Sequence, residues 1–314
     1  MIDKHIVNTI IEGLENPFEI VGCADLDAEK IERVSLTYWR DVWRRFKKNK
    51  LSYIGLLLLV GVVLLTIFGP LVSGQDFAYM DYAIKNQSPS TAHWFGTDSS
   101  GRDIFTRVCI GGRISIVIGL ACTAVMFIVG AVLGGIAGYK GGVWDDVIMR
   151  IVEIVVSMPY MVIVIILSVS LGRGVFALIL AMTLTSWGGT TRLVRGQILQ
   201  IKNQEFVLAS KALGGNSTRI ITKHLLPNAM GILMVSITFA IPGFIFSEAA
   251  LSFLGLGIQP PDTSWGALAS SARNVLMFHP LQLFFPCLMI IITMLAFNLI
   301  GDGLTDALDP KLRD

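Results

Sequence analysis

Charge is what this sequence has too little of. Asp, Glu, Lys and Arg make up 15% of its 314 residues, where a soluble globular protein carries roughly 25%. With a mean hydropathy of +0.67, that shortfall excludes a disordered chain, a nucleic-acid binder working through a basic surface and an ordinary cytosolic enzyme. Cysteine is scarce as well. Cys23, Cys109, Cys122 and Cys287 lie far apart without paired spacing, which argues against a disulfide framework or a zinc site and leaves buried apolar thiols for the last three. The four histidines (His5, His93, His224, His279) fall on different segments, so no metal site is expected. Beside Gly214-Gly215-Asn216-Ser217-Thr218 no lysine stands before a Ser or Thr at phosphate-loop spacing, and no nucleophile is paired with a base. Neither a nucleotide site nor catalysis is expected in this chain.

What is present is apolar sequence in long runs. A bilayer core about 30 Å thick needs roughly 20 apolar residues of helix, and six stretches meet that need. Residues 51–72, 114–139, 174–191 and 280–301 carry no charge, 151–172 carries only Glu153, and 225–247 is charge-free up to Glu248. The sequence therefore predicts an all-α membrane protein with six transmembrane helices, residues 51–314 forming the six-span domain.

Residues 1–36 form an acidic segment without the apolar core of a secretory signal, so the first span is expected to act as an uncleaved start signal. With the N-terminus inside, the cytoplasmic segments hold 19 of the 25 Lys and Arg, and the positive-inside bias predicts both termini in the cytoplasm. Arg40, Arg44, Arg45, Lys47, Lys48 and Lys50 carry much of that bias. Residues 37–50 are also amphipathic, with Trp39, Trp43 and Phe46 at helical spacing, as in an interfacial helix that anchors topology or braces the first span.

The polar segment 192–224 carries six basic residues with Glu205 as its one acid. Residues 203–213 are expected to form a short helix: Asn203 suits the N-cap, Glu205 the first turn, and Phe206, Ala209 and Leu213 share a face. Gly214-Gly215 ends it. Asn216 or Ser217 can cap a second helix through Ile220, Ile221 and Leu225, and Pro227 marks the start of the fifth span. Such a helix–glycine–helix knob between two spans needs something to press against.

The run Leu208-Ala209-Ser210, three residues, Gly214, nine residues, His224, one residue, Leu226-Pro227 resembles the signature of ATP-binding-cassette importer permeases. Their usual pattern is Glu-Ala-Ala, three residues, Gly, nine residues, Ile, one residue, Leu-Pro. Leu208, Ser210 and His224 depart from it, and Glu205 lies one turn before the missing glutamate. Further segments are similar to the oligopeptide and dipeptide branch: the outer-loop run His93-Trp94-Phe95-Gly96-Thr97-Asp98 with Gly101-Arg102-Asp103 and Arg107, then Ser247 to Gly257, Trp265-Gly266, and Gly301-Asp302-Gly303-Leu304 with Asp306 and Asp309-Pro310. The resemblance covers about residues 37–314 and is to the C-type member of the permease pair.

The resemblance implies the type I importer permease fold with a cytoplasmic coupling helix, in a multi-pass protein of the bacterial cytoplasmic membrane. Its implied coupling residues are Glu205, Leu208, Ala209, Ser210, Lys211, Ala212, Leu213, Gly214, Leu226 and Pro227. The implied partners are a second permease, two ATPase subunits holding ATP and Mg, an extracytoplasmic substrate-binding protein, and peptide cargo, with no nucleic acid. No cofactor is implied in this chain. Nickel or another small solute is the alternative cargo within this class. An ion-gradient transporter would want acidic or histidine relays at mid-membrane, and a membrane enzyme clustered polar residues within spans; neither pattern is evident.

Four further residue sets are assigned roles. Glu153 lies inside a span with Arg150 one turn earlier, either as a structural ion pair or on the translocation path. Met158-Pro159 is expected to kink that helix, and Gly130, Gly134 and Gly138 to let a neighbouring backbone approach. Glu248 in Glu248-Ala249-Ala250 is read as a membrane-boundary carboxylate on the outer side.

Overall fold

The computed structural model describes residues 38–172 and 174–308. The acidic segment 1–36, the turn at Arg173, the Asp309-Pro310 end and the Trp39 side chain lie outside the described residues. Asp41–Asp314 is one compact unit; the preceding unit, Met1–Arg40, is described only at the first turn of the helix that begins at Tyr38.

Among the described residues there are eleven α-helices and no strand beyond a bridge between Thr97 and Asp103. In chain order α1 is Tyr38–Lys48, α2 Lys50–Ser73, α3 Ile104–Lys140, α4 Gly142–Ser157, α5 Tyr160–Leu171 and α6 Val175–Ile201. After these come α7 Glu205–Ala212, α8 Ser217–Ile220, a π turn Ile221–Leu225, α9 Leu226–Phe253, α10 Trp265–Arg273 and α11 Leu281–Leu308. Four helical stretches are long and apolar enough to cross a membrane, five when the bent pair α4 and α5 counts as one. The fourth predicted span, 174–191, lies in α6, whose 27 residues suffice in length but whose Thr, Ser and Gly content lowers its hydropathy.

Boundaries moved where charge or proline misled the reading. The helix that carries the second predicted span, 114–139, begins ten residues earlier at Ile104, where Asp103 caps α3 by accepting from Thr106 N at 2.8 Å. The charges that hid this stretch are consumed locally: Arg107 donates to the Phe77 carbonyl at 3.1 Å and Arg113 to the Thr66 carbonyl at 2.7 Å. At Met158-Pro159 the expected kink is a full break, with α4 and α5 bent by 87°, since proline lacks the N–H and crowds the preceding turn. In α1 the expected aromatic face divides. Phe46 and Val42 are buried against Leu304, Ala307 and Leu308 of α11, while Trp43 stays exposed beneath Lys47.

The helices pack around α3, which lies against α2, α4, α6, α9 and α10. Its closest partner is α6, and the glycine stripe explains why. A Cβ at Gly130 would meet Thr190, at Gly134 the Thr191 carbonyl and Val194, and at Gly138 the Arg195 carbonyl and Ile198. Small residues at that spacing let two backbones approach where lipid offers no hydrophobic drive to association. Asn49 ties the ends of two spans together: its Oδ1 accepts from Leu51 N at 3.1 Å to cap α2, and its amide donates to Asp306 of α11 at 3.1 Å.

Candidate functional site

The segment between α6 and α9 forms the predicted knob, with shifted ends. Its helix is α7, Glu205–Ala212, shorter than the expected 203–213, and the N-cap residue is Gln204, not Asn203, without a side-chain bond. Its C-terminus is closed by two glycines. Gly214 N donates to the Lys211 carbonyl at 3.1 Å and Gly215 N to the Ser210 carbonyl at 3.0 Å, the pairing of a Schellman stop. Gly214 takes φ +80° to make it, a region that costs an ordinary residue energy. Asn216 then caps α8 by accepting from Arg219 N at 2.8 Å.

Two features fix α7 to the bundle. Val207, 2% exposed, joins Ile198, Ile220, Leu225, Ala229 and Leu233 in one buried cluster. Beyond it the chain runs through the π turn, where Leu226 N reaches back to the Ile221 carbonyl. That wider turn precedes Pro227, whose ring denies the helix a donor. Leu226-Pro227 therefore marks a continuous passage into α9, not a fresh start. The His224 ring lies 6.4 Å from that of Phe206.

The other face of α7 is uncovered. Phe206, Ala209 and Leu213 share it as expected, Leu213 being 88% exposed. Leu208, Lys211, Ala212, Gly214 and Glu205 are exposed too, with Ser210 half-buried. The helix is thus seated through Val207 and presents Leu208 and Leu213 outward.

At the opposite end of α3, Phe95 to Asp103 form a hydrogen-bonded knot. The Asp98 carboxylate accepts from Ser100 N, Arg102 N and Arg102 Nε at 2.8, 3.0 and 2.8 Å. Thr97 Oγ1 donates to the Ile84 carbonyl and accepts from Gln87 N, and the Thr97 carbonyl accepts from Gln282 of α11 at 3.0 Å. Asp103 also faces His93 Nδ1 at 3.0 Å. Phe95 stacks on Phe285 with ring centres 3.8 Å apart. Gly96 and Gly101 have positive φ, and a Cβ on Gly101 would overlap the Asp81 carbonyl. The polar groups of this motif are spent on one another and on Ile84, Gln87, His93 and Gln282, which ties the knot to α11.

The acids within the helices divide differently from expectation. Arg150 and Glu153 approach to 3.4 Å, with side chains 78% and 56% exposed in this chain. Glu248, read from the sequence as a membrane-boundary carboxylate, is enclosed by protein. It is fully buried, accepting from Ser115, Ser252 and Ser264 hydroxyls at 3.0, 2.7 and 2.6 Å. Those serines belong to α3, α9 and the N-cap of α10. A stronger pair went unseen: Arg195 of α6 grips Asp145 of α4 with two bonds of 2.5 and 2.6 Å. Fifty residues separate those partners, and no local pattern in the sequence joins them. Among the described residues no three His, Cys, Asp or Glu gather as metal ligands would.

Comparison with known proteins agrees with this geometry. Residues 130–314 match the family described as "Binding-protein-dependent transport system inner membrane component", and residues 37–89 match the "N-terminal TM domain of oligopeptide transport permease C". The oligopeptide transport system permease protein OppC of Bacillus subtilis (strain 168) is 47% identical over 95% of this chain and 98% of its own length. The dipeptide transport system permease protein DppC of the same organism is 49% identical over 91% and 90%. The glutathione transport system permease protein GsiD of Escherichia coli O6:K15:H31 is 40% identical over 88% and 92%. Among solved structures, a chain of the MetNI methionine ABC transporter in inward-facing conformations superposes with a TM-score of 0.52 at 18% identity, covering 63% of this chain and 94% of that one, which is a likeness of fold. A multi-pass helical bundle with a helix–glycine–helix knob ahead of its Leu-Pro is thus matched along nearly its whole length, and the chain belongs to the family of binding-protein-dependent transport system inner membrane components, the permease subunits of ATP-binding-cassette importers.

Proposed function

We propose that this chain is the C-type permease subunit of a peptide importer, with six spans, both termini in the cytoplasm and α7 as the coupling helix on the ATPase side. The observation that carries the reading is the uncovered apolar face of α7 on a helix held by Val207 and stopped at Gly214. The permeases named for oligopeptides and dipeptides, similar over nine tenths of the chain, support peptide as cargo. The charge split of 19 to 6 supports the orientation.

In this reading a second permease completes the pathway, two ATPase subunits hold ATP and Mg on the cytoplasmic side, and a binding protein delivers peptide from outside. Closure of the ATPases around ATP presses on α7 and shifts the bundle from inward-open to outward-open; hydrolysis returns it. The ligand acts by preferring one of two states. Two observations test this. Tagged chain should bring down an ATPase subunit in fixed stoichiometry. In a cysteine-free background, an impermeant thiol reagent applied outside should label cysteine placed at Ser88 or Asp262 and spare one at Ser217. The reverse labelling, or a chain that purifies alone from a gently solubilised membrane, would end the proposal.

A further inference from the structure

A cleft of about 440 Å³ lies between the loop-side ends of α3 and α6 and the coupling helix. The polar side chains around it are those of Tyr139, Lys140, Lys202, Asn203, Lys211 and Ser217. Each of them can donate a hydrogen bond, and none is a carboxylate. Lys140, Lys202 and Lys211 thus bring three basic side chains to the lining of one space, an arrangement an anion would relieve.

The surroundings do not neutralise them. Lys202 Nζ donates one hydrogen to the Gly138 carbonyl at 3.1 Å, which leaves it two more to give. Lys140 Nζ lies 4.5 Å over the Trp144 ring, a contact that orients a cation without discharging it. Asp145 is within electrostatic reach of Lys202, but both its oxygens are held by Arg195. The site also sits where a membrane surface would be. Two of the lysines stand at the ends of long helices, with Tyr139 and Trp144 beside them, and such aromatics mark the headgroup layer.

We infer that this cleft binds a phosphate-bearing anion, supplied by an anionic phospholipid headgroup or by free phosphate. The ligand would bridge Lys140 and Lys202, which belong to the spans, to Lys211, which belongs to α7. Occupancy would stiffen the joint through which α7 moves the bundle. The inference rests on the orientation and coupling role proposed above, which put the cleft at the inner leaflet, where anionic lipid is found.

The test uses the assembled transporter in nanodiscs of phosphatidylcholine alone, phosphatidylcholine with phosphatidylglycerol, and phosphatidylcholine with added inorganic phosphate. The readings are ATPase activity stimulated by loaded binding protein and phospholipid retained in native mass spectra. Stimulation should rise several-fold with one anion source, and the arm in which it rises names that source. The Lys140→Gln/Lys202→Gln double variant should lose the rise, and Lys140→Arg/Lys202→Arg should keep it. A complex that assembles and imports peptide yet ignores both anions overturns the cleft and leaves the importer reading standing. So does a Gln double variant that responds as the wild type does, since bulk surface charge would then be the cause. A chain that never assembles with ATPase subunits defeats the importer reading first, and the cleft with it.

Discussion

Arg113 Nε lies 2.7 Å from the carbonyl oxygen of Thr66, the oxygen that Pro70, four residues on, leaves without its helical donor. The same guanidinium donates from Nη2 to the Ile67 carbonyl at 2.7 Å. A proline within an apolar helix exposes backbone acceptors that lipid cannot satisfy, and here a neighbouring helix supplies the missing hydrogens through an arginine.

The two residues should therefore depend on each other. Arg113→Met is expected to lower stability by about 1–3 kcal/mol, the cost of an acceptor left unpaired. In a Pro70→Ala background, where residue 70 again offers an N–H to Thr66, the same change should cost distinctly less. A thermal melt followed by a thiol-reactive dye reads this directly, because Cys109 and Cys122 are free and buried. Equal losses in both backgrounds would separate the arginine from the proline.

Glu248 offers a second test. Ser115 Oγ accepts from Trp265 N and Ser264 Oγ from Ala267 N, so each aims its own hydrogen at the carboxylate. Glu248→Gln keeps the shape but turns an amide toward at least one of those donors. The loss should be about 1–3 kcal/mol in the same melt, with α10 loosening from α3 and α9. An unchanged melting temperature would mean that the serines can turn to other partners.

At Gly214 the backbone alone is at stake, since nothing stands within 4 Å of where a Cβ would go. With φ at +80°, Gly214→Val should strain the stop by about 1–2 kcal/mol, while Gly214→Asn should be tolerated better. Peptide uptake and the response of the ATPase to loaded binding protein should fall in the valine variant and largely persist in the asparagine one. If both variants behave as wild type, the stop has no mechanical part.

The pair Arg150 and Glu153 should matter little for folding. Both side chains are more than half exposed, so Glu153→Gln is expected to shift stability by no more than about 0.5 kcal/mol, the range of surface ion pairs. A loss well above that would restore the structural role that the sequence suggested. A fall in uptake at an unchanged melt would place Glu153 on the path of the cargo.

The knob between α6 and α9 was legible because its signals are local: Gly214-Gly215, an asparagine before Ser217, and Leu226-Pro227 each act within a turn or two of themselves. Asn203 misled because Gln204 intervenes and caps without a side-chain bond. The partners of Glu248 and Arg113 were hidden for one shared reason. A charge near the end of an apolar run normally marks water, but here partners distant in sequence, three serines in one case and two carbonyls in the other, supply what water would. The exposed state of Leu213 was equally hidden, since an apolar residue at helical spacing reads the same whether its neighbour is this chain or another.

From Ser217 to Phe253 the chain is one helical stretch of 37 residues, about 55 Å from end to end. One tip adjoins the knob and the other holds the Glu248 carboxylate among its serines. A rod of that length that pivots near one tip by about 5° sweeps the other through about 5 Å. The π turn, which looks like a flaw in the winding, carries the helix past Pro227 unbroken, so in the proposed coupling a small tilt at the knob would reach the far tip as a displacement comparable to one turn of helix.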